Sequence, residues 1–164
     1  MDRLDLLPLP AAAASALPAD RETASRVLGA SLPPAWPQAD LLDVLSAQAA
    51  ATPAEERFGV WVMIDRETNS VIGDIGFMGP PDGSGRVELG YSVVPERRRQ
   101  GYATEAARGI VHWVLDQPEV NVVVAGCDVA NVGSIRTLQR IGFVRDGETN
   151  GQIRWRSGRQ SALT

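Results

Sequence analysis

Val87-Glu88-Leu89-Gly90-Tyr91-Ser92-Val93-Val94-Pro95-Glu96-Arg97-Arg98-Arg99-Gln100-Gly101-Tyr102-Ala103-Thr104-Glu105-Ala106 is the stretch whose reading decides the fold. Val87, Leu89, Tyr91 and Val93 alternate with Glu88, Gly90 and Ser92, the period of a strand with one buried face. Pro95 ends that strand, because proline has no N–H to give to a ladder. From Ala103 to Asp116 the apolar residues return at helical spacing: Ala103, Ala106 or Ala107, Ile110, Val111 and Val114. The turn between strand and helix is basic and closed by Gly101. Its free N–H groups and the positive end of the helix dipole point at one spot, which makes an anion site.

Arg98-Arg99-Gln100-Gly101-Tyr102-Ala103 fits Arg/Gln-x-x-Gly-x-Gly/Ala, and with its flanking strand and helix it resembles the pyrophosphate-binding signature of the GCN5-related N-acetyltransferases, the GNAT superfamily. Further on, Asn131-Val132-Gly133-Ser134 followed by Gly142-Phe143 resembles a second block of that family, one helix and one strand after the first. The resemblance covers essentially the whole chain and is nearest to the branch that acetylates ribosomal-protein N-termini.

Composition bounds the rest. One domain over residues 1–164 is expected, with 44% hydrophobic residues supplying a sizeable core. A net charge of −4 argues against a nucleic-acid partner, so the Arg97–Arg99 cluster suits a small polyanion. A single cysteine excludes an internal disulfide, and with a single histidine it makes a metal site unexpected. No apolar run near the N-terminus has the length of a membrane span or signal segment, so a soluble, cytoplasmic protein is the expectation.

In chain order, Leu4–Leu9 reads as a first strand with Pro8 marking an edge or an end, and Pro10–Ser15 as the start of a helix. Asp20–Gly29 reads as a helix with Asp20 as N-cap and Gly29 as stop. After the rigid loop Leu32–Pro37, the apolar spacing predicts one amphipathic helix over Asp40–Ala51, capped by Asp40. Phe58–Asp65, Val71–Met78 and the Val87 strand form a meander. Gly73, Gly76 and Gly79 lie in strand and turn context and open no helix, which rules out a dinucleotide fingerprint. Val120–Cys127 is a β-branched buried strand, and strand–helix–strand implies a parallel crossover between it and the Val87 strand. Asn131–Ile141 is the last helix, stopped by Gly142, and Phe143–Arg145 with Ile153–Arg159 form a closing hairpin with Ile153 and Trp155 inward.

The resemblance implies a mixed α/β (α+β) fold: a mostly antiparallel sheet of six to seven strands with one splayed parallel pair, flanked by helices. It implies acetyl-CoA as donor, with the pantetheine arm pairing with Val93 and Val94 in the gap and the diphosphate held by Arg98, Arg99, Gln100, Gly101, Tyr102, Ala103 and Thr104. Val94 N–H is the expected donor to the thioester carbonyl. The implied reaction is direct acetyl transfer to a primary amine, of a peptide or a small molecule, in a ternary complex. An unperturbed lysine, with a pKa of about 10.4, is neutral in only a few molecules per ten thousand at pH 7. An α-amine, near 7.7–8, is neutral in roughly a tenth. A base therefore helps, and Glu88 is the candidate, the other reading being an exposed strand glutamate.

Many family members carry a proton-donating tyrosine one helical turn after the Ser134 position, where this chain has Leu138. Ser134 is then the candidate acid, or simply a cap or packing residue. Asn131 either bonds the pantetheine or an ordered water, or caps the last helix. The missing tyrosine keeps open a second reading, a non-catalytic acyl-CoA sensor. Cys127 reads as a core residue and His112 as partly exposed and uninvolved, while Trp36 and Trp61 read as packing, with Trp36 also a candidate for the acceptor pocket. The family often dimerises, and the sequence leaves a homodimer open.

Overall fold

The computed structural model describes residues 1–158. Its framework is a seven-stranded sheet: β1 (Leu4–Pro8), β2 (Val60–Asp65), β3 (Ser70–Phe77), β4 (Arg86–Val93), β5 (Val122–Asp128), β6 (Val144–Thr149) and β7 (Gln152–Gly158). The order across the sheet is β1-β2-β3-β4-β5-β7-β6. Every neighbouring pair is antiparallel except β4 and β5, the crossover pair expected from the sequence. Pro8 ends an edge strand, where its missing N–H disturbs no ladder. Arg159, the last residue of the expected closing strand, lies outside the described residues.

Helix α6 (Tyr102–Leu115) carries the crossover and buries Ala106, Ala107, Ile110, Val111 and Val114 against one face of the sheet. Helix α7 (Val132–Arg140) joins that layer through Leu138 and Ile135. Val87, Leu89 and Tyr91 of β4 and Val123, Ala125 and Cys127 of β5 point into this core, so Glu88, Gly90 and Ser92, with Val124, Gly126 and Asp128, face the other way. The opposite face is covered by α1 (Ala11–Ala16), α2 (Arg21–Leu28) and α4 (Leu45–Ala49) around Leu9, Val62, Val71 and fully buried Trp36. Helix α2 begins and ends as read: Asp20 Oδ1 accepts from the Thr23 amide at 3.1 Å, and Gly29 stops it at φ +68°.

The long helix expected over Asp40–Ala51 is broken into α3 (Ala39–Leu42) and α4. Leu42 and Val44 are solvent-exposed, so no continuous apolar stripe holds one straight helix there. Asp40 does not cap α3; its Oδ1 accepts from the adjacent Leu41 amide, and Gln38 holds the N-cap position. A short helix, α5 (Pro53–Glu56), follows, closed by a Thr52–Glu55 capping box with Pro53 at its first position.

Candidate active site

Strands β4 and β5 separate partway along. Their register runs from Arg86–Val122 to Leu89–Ala125 and stops, although β4 continues to Val93 and β5 to Asp128. Beyond that point, among the described residues, β4 pairs only with β3, and β5 only with β7. Backbone parity decides which groups face the gap. Val94 N–H donates to Ile72 O at 2.9 Å and Glu88 O accepts from Met78 N–H at 3.2 Å, so the even-numbered residues of β4 bond to β3. Tyr91 and Val93 therefore aim their backbone groups into the gap. This corrects the role expected for Val94: its amide is committed to β3 and does not reach a ligand between β4 and β5. Val93 O also has partners, Arg98 Nε at 2.8 Å and Gln38 Nε2 at 3.1 Å.

The basic turn leads from a single 3₁₀ turn, Pro95–Arg97, into α6. Arg99 (φ +63°) and Gly101 (φ +81°) both lie in the left-handed region, which glycine adopts freely and arginine does not. The first intrahelical amide bond is Glu105 to Gly101 O at 3.0 Å. The N–H groups of Arg99 to Thr104 consequently have no acceptor among the described residues, and Gly101 has no side chain to cap them.

Three clamps fix this turn. Arg97 Nη1 meets buried Asp65 Oδ2 at 2.6 Å. Burial pushes the Asp65 carboxyl up, but the bonds from Arg97, the Glu67 amide and Thr68 outweigh it and hold it below the usual carboxylate range. Arg98 is pinned to Val93 O and Gln38 Oε1. Arg3 donates to Gln100 O at 2.8 Å, pairs with Glu105 at 2.8 Å and covers the Tyr102 ring. The arginine cluster is thus divided: Arg97 and Arg98 hold the backbone, and Arg99 is left exposed.

The gap and the turn open into one cleft of about 860 Å³, with Tyr91, Arg99, Ser134, Arg136, Thr137 and Arg140 in its wall. Among the described residues no carboxylate lines it, in a chain of net charge −4. The side chains of Arg99, Arg136 and Arg140 have no hydrogen-bond or ion-pair partner among the described residues. Such a wall fits an elongated anion.

Tyr91 Oη and Ser134 Oγ share a hydrogen bond of 2.7 Å that reaches from β4 to the first turn of α7. Burial raises the Tyr91 hydroxyl above its ordinary phenol value, the bond to Ser134 opposing, so it stays protonated at neutral pH. Leu138, where the family resemblance sets a tyrosine, is fully buried in the core. A phenol therefore reaches the gap from the strand rather than from the helix. Asn131 Oδ1 accepts from the Ser134 amide at 3.0 Å, the capping arrangement. Glu88 is exposed on the face away from α6.

Trp36 is fully buried with its indole N–H on Asp74, and Trp61 packs on Trp113 at 5.0 Å, so both serve packing. Buried Cys127 accepts from Trp155 Nε1 at 3.3 Å, and His112 is exposed beside Asp116. Among the described residues no group of three or more His, Cys, Asp or Glu side chains is arranged to hold a metal, and no helix is long and apolar enough to cross a membrane. Sequence reasoning missed Tyr91, Arg136, Arg140 and Gln38 as contributors. Arg136 and Arg140 carried a signal, an i, i+4 basic pair on the polar side of α7, whereas Tyr91 read only as one more inward strand residue.

A mixed sheet whose one parallel pair splays above an uncapped helix N-terminus defines an acyltransferase architecture, and residues 3–144 match the acetyltransferase (GNAT) domain model. The chain belongs to the GNAT acetyltransferase family. It is similar to the uncharacterized N-acetyltransferase YjdG of Bacillus subtilis, 28% identical over 123 residues that span 73% of each chain. Among solved structures it resembles the microcin C7 self-immunity acetyltransferase MccE in complex with acetyl-CoA and AMP (TM-score 0.68, 18% identity, 96% of this chain and 93% of that one). The ribosomal-protein-S5-alanine acetyltransferase from Vibrio fischeri is similar to the same degree (TM-score 0.66, 17% identity, 96% and 94%). At these identities the two structures speak for the fold.

Proposed function

We propose that this protein transfers the acetyl group of acetyl-CoA to a primary amine by direct attack, both substrates being bound together. The observation that carries the reading is the set of unpartnered amides from Arg99 to Thr104 at the mouth of the gap where β4 leaves β5. The residues fit the donor piece by piece. A diphosphate suits the amides and Arg99, each charge-assisted bond being worth about 1.5–3 kcal/mol. The acid-free wall of Arg136 and Arg140 suits the remaining phosphate. The gap-facing N–H and C=O of Tyr91 and the N–H of Val93, whose carbonyl is held by Arg98 and Gln38, suit an amide-bearing arm, as a strand would pair there.

When bound, acetyl-CoA supplies a thioester whose carbonyl carbon accepts the amine and whose sulfur departs as a thiolate. Tyr91 holds a proton at Oη and is the donor for the departing sulfur, with Ser134 Oγ orienting it. Glu88, exposed on the far face, takes the proton lost by the amine, directly or through water. MccE and YjdG being acetyltransferases by name supports the same chemistry, and the absence of any transmembrane-length helix among the described residues is compatible with a cytoplasmic setting.

The test is thiol release from acetyl-CoA against a panel of amines, alongside calorimetric binding of CoA. Turnover with at least one amine and loss of about tenfold or more in CoA affinity in Gly101→Val are expected, since valine resists φ +81° and distorts the amide array. Binding of CoA without release above hydrolysis would favour the sensor reading, which Leu138 at the tyrosine position motivates. Unchanged CoA affinity in Gly101→Val would remove the turn from the site.

A further inference from the structure

Helix α6 opens at the anion turn, yet it carries a glutamate in its first turn. Glu105 is one helical turn, about 5.4 Å along the axis, past Gly101. A carboxylate so near a helix N-terminus is drawn to the same positive end that would hold a diphosphate, and its charge opposes that ligand. The structure turns it the other way. Glu105 Oε2 accepts from the backbone N–H of Arg3 at 2.9 Å and of Leu4 at 3.1 Å, and Oε1 accepts from Arg3 Nε at 2.8 Å. These bonds all run to the start of β1, and Glu105 is not part of the cleft wall. Burial pushes its carboxyl up, but the bonds from Arg3 and from the Arg3 and Leu4 amides outweigh that and hold it below the usual carboxylate range. Glu105 therefore carries its charge at neutral pH, with its side chain only 17% exposed.

Arg3 answers that charge at the turn itself. Its Nη1 donates to Gln100 O at 2.8 Å, and its guanidinium lies 4.1 Å from the centre of the Tyr102 ring. Its Nη2 lies 3.4 Å from the place a Cβ on Gly101 would take. One side chain thus meets three consecutive residues of the turn and the competing carboxylate, across 97 to 102 residues of sequence. We infer that Arg3 is a positioning residue for the donor: it holds the Glu105 carboxylate on β1 and cancels its charge, which keeps the amides of the turn free for the diphosphate. The inference rests on the acetyl-CoA reading above. Arg3 acts through Glu105 and the Gln100 carbonyl and does not itself line the cleft. Its loss leaves Glu105 as an unpaired, mostly desolvated carboxylate beside the anion site. The effect on binding should therefore follow the charge of residue 105. A strut that merely braced β1 against α6 would show no such dependence.

Calorimetry with CoA on the wild type, Arg3→Ala, Glu105→Gln and the double variant reads this directly, with urea unfolding as the folding control. Arg3→Ala should weaken CoA about tenfold at about 50 mM salt, and about threefold or less at about 500 mM, where the Debye length is only about 4 Å. Glu105→Gln should bind CoA at least as tightly as the wild type, since glutamine keeps an oxygen for the β1 amides and removes the opposing charge. In the double variant the low-salt loss should shrink from about tenfold to about threefold or less. A double variant as weak as Arg3→Ala would overturn the inference and leave Arg3 a plain strut. Wild-type affinity in Arg3→Ala would overturn it as well. So would weakened CoA binding in Glu105→Gln, a result that needs no Arg3 variant to fold. A wild type that binds no CoA at either salt concentration would overturn the acetyl-CoA reading, and this inference with it.

Discussion

Replacing Asp74 with asparagine should flatten the pH dependence of stability above pH 4. Asp74 lies in β3, only 8% exposed, with Oδ2 accepting from Trp36 Nε1 at 2.9 Å. Burial, reinforced by the negative charge of Asp40 and opposed by the indole bond, pushes its carboxyl from the ordinary 3.8 up to about 7. The native state therefore keeps a proton that the unfolded chain gives up from about pH 4 onward. With more protons bound in the native state, raising the pH favours unfolding, and the loss continues until the native carboxyl ionises near pH 7. A shift of about three units is worth on the order of 4 kcal/mol across that window, of which on the order of 2–3 kcal/mol falls between pH 5 and pH 8. Asparagine keeps a carbonyl oxygen for Trp36 and never ionises. Urea unfolding of both proteins at pH 5, 6, 7 and 8 gives the difference directly. Carboxylates such as Asp65 and Glu105, whose values are lowered, are common to both proteins and cancel. The asparagine variant should gain on the wild type from pH 5 to about 7 and then run parallel. Parallel curves over the whole range would refute the reasoning, because they would mean that Asp74 is already ionised in the native state at pH 5.

The arginine turn separates stability from binding. Arg97→Ala strands the Asp65 carboxylate and should cost about 2 kcal/mol in unfolding experiments. Arg99→Ala should leave stability unchanged yet weaken CoA about tenfold, with a shallower salt dependence; equal effects of the two variants on both readouts would collapse the distinction. Tyr91→Phe should lower kcat by about a hundredfold with little change in CoA affinity, and Ser134→Ala by less, since serine only orients the phenol. A Ser134→Ala defect larger than that of Tyr91→Phe would return the donor role to serine.

Much of this site is local chemistry and was legible in the linear chain. Gly101 had to be glycine because the turn enters α6 through a left-handed residue, and the alternation of Val87, Leu89, Tyr91 and Val93 fixed which side of β4 is buried. The Thr52–Glu55 capping box was equally readable, yet the helix it opens went unread, and the helix expected over Asp40–Ala51 broke because Leu42 and Val44 found nothing to pack against. Val94 illustrates the limit differently. Whether its amide faces β3 or the gap depends on the hydrogen-bond parity between β3 and β4, a property of register rather than of residue type.

The amino-acid order alone determined the strand–turn–helix unit at residues 87–115, the parallel crossover it forces and the family it belongs to, because periodicity, glycine and proline act within a few residues. Only the tertiary structure decided that the paired ladder stops at Leu89 and Ala125, that Tyr91 meets Ser134, and that two of three adjacent arginines are held by the chain itself. Most of those outcomes depend on partners 32 to 60 residues away, or on the next strand, and such contacts come together only when the sheet closes.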